Sequence, residues 1–236
     1  VDALFRDLLV GVTGFFRDPE AFEALERTVI RPLVAEKAEG EPVRVWVPGC
    51  STGEEAYSIA MLVLEALEAA DKQCPVQVFA TDLDETALAT GRAGVYPESV
   101  AAAVPPARLA RFFERTDHAC RVTDGLRETV TFAMQDVVGD PPFSRVDLIS
   151  CRNLLIYLNT GVQRTVLGYF HFALAPGGHL FLGTSESAGA GETLFAPVDK
   201  HWCIYRRAER EAAERRAAFP VQPARPPRRP RLVSQI

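Results

Sequence analysis

Two acids, Glu54 and Glu55, stand directly after a turn bounded by Gly49 and Gly53, and that turn follows the apolar run Val43-Arg-Val-Trp-Val. In order, the segment reads as a buried strand, a tight glycine turn and a helix opened by acids. A doubly wound α/β domain brings its backbone close to a nucleoside ligand in this way. The glycines leave no side chain between chain and ligand. Their spacing is not the dinucleotide fingerprint G-x-G-x-x-G. Two carboxylates at a helix start repel a pyrophosphate but suit a ligand that carries an ammonium or sulfonium charge. The turn therefore points to S-adenosylmethionine (SAM) rather than NAD. The alternative is an ordinary strand-to-helix turn, where glycine and acidic residues are also common.

Further polar residues fall at the ends of other apolar runs, which is where such sheets bind ligands. Asp82 closes Val76-Gln-Val-Phe-Ala-Thr. It is placed either to accept hydrogen bonds from ribose hydroxyls or to cap the next helix, and Asp84 competes with it. Asp136 follows Thr131-Phe-Ala-Met-Gln and suits an exocyclic amine such as adenine N6. It also reads as a turn aspartate before Gly139-Asp140. Cys151-Arg152-Asn153 follows Val146-Asp-Leu-Ile-Ser. Cys50 and Cys151 lie beside these loops without an evident histidine partner and read as small packing residues.

The elements that must hold these residues alternate along the chain. Residues 19–38 predict a helix with Phe22, Leu25, Val29 and Leu33 on one face, kinked or ended at Arg31-Pro32. Strands are expected at 43–47, 76–81, 146–150, 179–183 and 200–206, and helices at 54–70, from Thr81 or Asp82 onward, and at 160–174 before the stop Ala175-Pro-Gly-Gly. Residues 94–130 break the rhythm, with a short helix at 107–113 and strand-like pieces at 120–122 and 128–132 around Asp124-Gly125, a hairpin signal. They read as an inserted antiparallel β-subdomain whose last piece rejoins the sheet, or as a long crossover. The fold class is α/β, a parallel sheet with helices on both faces.

Composition bounds the function. At 236 residues and 47% apolar content the chain fits one large domain. No run reaches the roughly 18 apolar residues of a membrane span, and no signal peptide opens the chain. The five cysteines are odd in number and none forms C-x-x-C, so no structural metal site is expected and a reduced, cytoplasmic setting fits. Nine arginines against three glutamates from Arg206 onward give the end a net charge of +6, leaving −11 on residues 1–205. An acidic body argues against nucleic acid as a partner. Residues 207–236 are expected to form a charged helix and then a disordered Arg/Pro-rich tail.

Five ordered segments carry a more specific signal. They are Thr13-Gly-Phe-Phe-Arg-Asp, Gly49-Cys-Ser-Thr-Gly-Glu-Glu-Ala-Tyr-Ser-Ile-Ala, Phe79-Ala-Thr-Asp-Leu-Asp, Cys151-Arg-Asn-Leu-Leu-Ile-Tyr and Pro176-Gly-Gly-His-Leu-Phe-Leu-Gly-Thr-Ser-Glu-Ser. The set resembles the CheR family of chemoreceptor glutamate methyltransferases from residue 8 to about 206. The resemblance implies a Rossmann-like SAM-dependent methyltransferase domain over residues 1–206, with the small β-subdomain inserted at about 94–130. It implies cofactor contacts at Thr13, Arg17, Gly49, Glu54, Asp82, Asp136, Val137, Arg152 and Asn153, and catalytic roles for Arg17 and Tyr157. It implies methylation of glutamates on a chemoreceptor cytoplasmic region, with a receptor-tail peptide docking on the subdomain in some relatives. A catalytically weak SAM-binding signalling module, or a methyltransferase for another substrate, is the competing expectation. Gly11 stands where relatives often have Asn, and Asp136 where some have Asn. The family's helical N-terminal domain is largely missing, which suggests a piece of a larger polypeptide with other domains.

The chemistry asks little of acid–base catalysis. A glutamate, with a pKa near about 4.3, is already a carboxylate at neutral pH and can attack the sulfonium methyl in line. Positioning and electrostatics then do most of the work. Arg17, with its planar fork, would hold either the substrate carboxylate or that of SAM. Tyr157 would line the transfer site.

Overall fold

The computed structural model describes residues 13–209, apart from Asp117 and Glu192. Gly11 and the expected tail from residue 210 onward lie outside them. The strands are β1 (Val43–Pro48), β2 (Val76–Asp82), β3 (Val95–Pro97), β4 (Phe113–Arg115), β5 (Ala119–Val122), β6 (Val130–Met134), β7 (Val146–Cys151), β8 (Leu174–Leu182), β9 (Phe195–Asp199) and β10 (Ile204–Arg207). The helices are α1 (Pro19–Leu25), α2 (Arg31–Glu36), α3 (Glu54–Ala69), α4 (Glu85–Ala93), α5 (Pro106–Phe112), α6 (Asp124–Arg127) and α7 (Thr160–Ala173).

Seven strands form one sheet in the order β6-β2-β1-β7-β8-β10-β9. The first five run parallel, and β10 enters antiparallel between β8 and β9. β7 is buried at all six positions and β1 at five of its six, the pattern of central parallel strands covered on both faces. α1, α2 and α3 pack on one side with Phe22, Leu25, Ile30, Ile59 and Leu62. α7 covers the other with Val166, Leu167 and Phe170 against Trp46 and Ile149. The buried indole of Trp46 donates to the Thr81 hydroxyl at 3.0 Å, which bridges β1 and β2. No helix among the described residues is long and apolar enough to cross a membrane.

Several local expectations need correction. Residues 19–36 stay helical through Pro32, because Glu26–Ile30 widens into a π-turn. That turn makes room for the proline ring and its missing N–H. β2 runs on through Asp82, so α4 is capped by Asp84, whose Oδ1 accepts from the Thr86 and Ala87 amides at 2.9 and 3.2 Å. Asp124-Gly125 makes no hairpin and sits in α6. The strands flanking it belong to different sheets, so the chain has to cross over rather than reverse. β4 and β5 do pair antiparallel with β3 in a separate three-stranded sheet, and β6 joins the main sheet beside β2.

The end of the sheet also differs from expectation. β8 begins at Leu174, and its pairing with β7 jumps from Val146↔Leu174 to Leu148↔His179, so Ala175–Gly178 bulges with Gly177 at φ +77°. β9 was hidden by Pro197, which an edge strand tolerates because its missing N–H can face solvent. The expected strand 200–206 therefore starts only at Ile204, after a reversal through Cys203 at φ +53°.

Candidate functional site

The carboxyl ends of β1, β2, β6 and β7 lie along one edge of the parallel sheet and bring Gly49–Glu54, Asp82, Asp136–Val137 and Arg152–Asn153 to the same side. After β1 the backbone turns through positive φ three times, at Gly49 (+69°), Ser51 (+49°) and Gly53 (+93°). A Cβ on Gly53 would lie 2.7 Å from the Phe132 ring and one on Gly49 3.1 Å from Leu154, so both strain and space select glycine. The loop is pinned along its length. The Cys50 amide donates to the Thr81 carbonyl at 3.0 Å, the Ser51 amide to Asp82 Oδ2 at 2.7 Å, and the Tyr96 hydroxyl to the Thr52 carbonyl at 2.7 Å.

The two acids that open α3 differ in environment. Glu54 is buried, and its Oε2 accepts from the Thr52 hydroxyl at 2.6 Å. Burial pushes its pKa up, and that hydrogen bond only partly offsets the effect. Glu55 turns to the sheet and accepts from the Ser150 hydroxyl at 2.6 Å. Burial raises its pKa too, against the lowering influence of Arg152 and Ser150 and the more distant charge of Arg17. Glu54 is therefore the acid beside the glycine loop, while Glu55 ties α3 to β7. The Cys50 and Cys151 thiols are pushed well above the usual range, first by burial and then by the Asp82 and Glu186 carboxylates respectively, which makes both inert.

Asp82 braces the site as well as facing it. Oδ2 takes the Ser51 amide and Oδ1 the Asp84 amide at 3.0 Å, leaving each oxygen a further lone pair. Asp136 closes a turn: Oδ1 accepts from the Val138 amide at 2.9 Å, and its own amide donates to Asp140 Oδ2 at 2.8 Å. Val137 packs partly buried against the Trp46 cluster. Two apolar side chains not singled out from the sequence are exposed at the neighbouring strand ends, Leu83 by 55% and Met134 by 64%. Met134 is the register partner of Asp82.

The segment Thr13–Asp18 crosses in front of this edge. Phe15 is buried edge-on against Tyr96 and Phe113, and the Phe16 amide donates to the Ser58 hydroxyl at 3.0 Å. Thr13 is half-buried and Arg17 exposed. Phe16 and Asp18 both take positive φ (+50° and +60°), a strained conformation for such residues. Arg152 holds that strain. Its side chain is fully buried, with Nη1 donating to the Arg17 carbonyl at 2.8 Å and Nη2 to Asp18 Oδ2 at 2.6 Å. Its guanidinium lies over the Phe22 and Phe181 rings.

One residue of this arrangement escaped the sequence reading. The buried Glu186 accepts four backbone amides, those of Gly183, Asn153, Leu155 and Ile156, at 2.7–3.3 Å. It holds Asn153 at φ +60° and fixes the short 3₁₀ turn Leu155–Tyr157, on which Tyr157 stands 45% exposed. Its only signal was an acid set between two serines after a strand. Among the described residues no group of three or more His, Cys, Asp or Glu could hold a metal ion.

Residues 11–204 match the family described as "CheR methyltransferase, SAM binding domain". The chain is 34% identical over 217 residues to a putative methyltransferase, Cher3, of Pseudomonas putida, covering 87% of this chain and 76% of that protein. It is 32% identical over 199 residues to chemotaxis protein methyltransferase 2 of Vibrio cholerae, covering 83% and 68%. An uncharacterized 104.1 kDa protein of Rhodobacter capsulatus is 41% identical over 228 residues, which is 95% of this chain but 24% of that protein. The chain thus spans about a quarter of that relative.

Proposed function

The chain belongs to the CheR methyltransferase family and carries its SAM-binding domain, and from that premise we propose that it methylates glutamate side chains on a chemoreceptor cytoplasmic region. The products are glutamate methyl esters and S-adenosylhomocysteine. The observation that carries this reading is the convergence of the glycine loop, Glu54, Asp82 and the braced Arg17 turn on one sheet edge.

The residues fit SAM. Gly49 and Gly53 let the loop after β1 turn tightly at the sheet edge, where a Cβ would meet Leu154 and the Phe132 ring. Glu54 supplies a carboxylate beside it for a cationic group, Asp82 keeps lone pairs for ribose hydroxyls, and Leu83 and Met134 offer apolar surface to a flat base. Asp136–Val137 closes the same edge. When bound, SAM supplies an electrophilic methyl group on a sulfonium. Its methyl would pass to a substrate carboxylate oxygen with the sulfur leaving as a neutral thioether, so the chain's own residues would have no proton to move. The chain's task is then to hold two reactants in line. Arg17, fixed at its carbonyl, orients a carboxylate through its fork, and Tyr157 lines the approach.

The setting proposed is cytoplasmic, within a polypeptide that carries further domains, as the fractional coverage of the long relative suggests. The deciding experiment is transfer of labelled methyl from SAM to a chemoreceptor cytoplasmic region. Label released by mild base supports a glutamate ester. Base-stable label or no transfer refutes the reading.

A further inference from the structure

We infer that the cleft at the carboxyl ends of β7 and β8 receives the acidic stretch of substrate beside the methylated glutamate, with Arg164 recognising its charge. This rests on the reading that the substrate is a protein glutamate. The cleft measures about 510 Å³ and is bounded by the 155–156 turn, the start of α7 and the 185–189 loop. It is open to solvent along one side, as a groove that receives part of a longer chain must be.

The cleft is built in advance of any ligand. Glu186 pins one wall through its four amides. Gln163 Nε2 pins the other by donating to the Leu155 and Leu158 carbonyls at 2.9 and 3.0 Å. Those four donors satisfy the lone pairs of Glu186, which is only 7% exposed and so presents little of its carboxylate to the cleft. Arg164, exposed on α7, makes no side-chain hydrogen bond or ion pair with any described residue. On a body of net charge −11 an arginine left without a carboxylate is a free anion-recognising fork. Ser185 and Ser187 line the same cleft and can add hydroxyl donors. Ile156, 46% exposed at the rim, offers an apolar anchor next to Tyr157. A chain of carboxylates with an occasional apolar side chain matches this lining; a basic ligand does not.

The test is direct binding of a fluorescein-labelled peptide of alternating Glu and Ala, beside its Gln-for-Glu counterpart, followed by anisotropy with S-adenosylhomocysteine present. The parent chain binds the Glu peptide more tightly than the Gln peptide, and added salt weakens that binding. Arg164→Glu weakens it roughly tenfold, Arg164→Gln weakens it less and flattens the salt dependence, and Arg164→Lys keeps most of it. Melting temperature and S-adenosylhomocysteine affinity stay unchanged in all three, since the side chain is exposed and outside the cofactor edge. Equal affinity for both peptides, no binding by the parent, or full binding by Arg164→Glu overturns the inference. A chain that binds the acidic peptide but transfers no methyl group refutes the proposed function and leaves the cleft standing. A chain that methylates yet ignores Arg164→Glu does the reverse.

Discussion

Arg152 grips Arg17 by its backbone: the buried Nη1 donates to the Arg17 carbonyl oxygen at 2.8 Å, so an interior guanidinium sets where an exposed one stands. The same fork takes Asp18, and two aromatic rings cover it. The strained φ values of Phe16 and Asp18 persist because this contact over-determines them.

Arg152→Ala should therefore destabilise the fold by about 3 kcal/mol, the low end of what breaking a buried charged pair costs, since the Asp18 left behind can hydrate. Asp18→Asn should cost only about 0–1 kcal/mol, because that carboxylate is 42% exposed. Arg152→Lys keeps the charge but cannot reach carbonyl and carboxylate together, and should fall between the two. Urea denaturation measures all three. Equal midpoints for Arg152→Ala and the parent would show that the turn holds itself.

Asp82 and Asp84 should separate cleanly. Asp84 caps α4, so Asp84→Ala should cost about 0.5–2 kcal/mol of stability and leave cofactor affinity nearly unchanged. Asp82→Ala should weaken SAM roughly a hundred- to ten-thousand-fold, from the loss of two charge-assisted ribose bonds at about 1.5–3 kcal/mol each, while the fold survives. Calorimetry alongside thermal melts reads both effects. Affinity lost in Asp84→Ala and kept in Asp82→Ala would exchange their roles.

Much of this was legible because local chemistry and fold agree. Val43–Pro48, Val146–Cys151 and the glycine loop announce a parallel sheet with its site at the strand ends, and those segments lie where the pattern puts them. Legibility failed where tertiary partners decide. Asp124-Gly125 is a hairpin only if its flanking strands share a sheet, and they do not. Pro197 conceals a strand because only an edge position accepts it. Arg152 reads in sequence as a ligand contact beside Asn153, and no spacing shows that its two terminal nitrogens also hold the Arg17 turn. Glu186 works through four backbone amides, which no spacing in the sequence foretells.

Glu54 should make binding pH-dependent. Burial raises its pKa, so the folded chain keeps the proton at pH values where the unfolded chain, at about 4.3, has released it. Its contribution to stability is therefore present at acid pH and falls as pH rises from about 4.3 through the raised folded value. Affinity for a cationic ligand runs the opposite way, since only the carboxylate attracts it. SAM affinity should rise with pH over that same window, and Glu54→Gln should be weaker and nearly flat. Glu55, also raised by burial, titrates nearby but faces Ser150 and Arg152, so it should survive as only a minor slope in Glu54→Gln. Calorimetry over a pH series from neutral down to about 4.3 checks this. A parent affinity as flat as that of the variant would remove Glu54 as the counter-charge.

Arg17 carries the last prediction. If it orients a reacting carboxylate, lysine cannot replace it, because a point charge lacks the two parallel donors of the guanidinium. Arg17→Ala and Arg17→Lys should both cut methyl transfer by well over tenfold, the loss of an oriented charged contact being worth several kcal/mol, or roughly a hundredfold and more. Circular dichroism and melting should hardly change, since the side chain is exposed and the turn is held through the Arg17 carbonyl, which both variants keep. Binding of S-adenosylhomocysteine divides the two roles. If Arg17 holds the amino-acid carboxylate of the cofactor, that affinity falls with the rate. If it holds the substrate glutamate, the affinity stays and only turnover falls. Full activity in Arg17→Ala would take the residue out of the mechanism and leave the Arg152 brace a purely structural device.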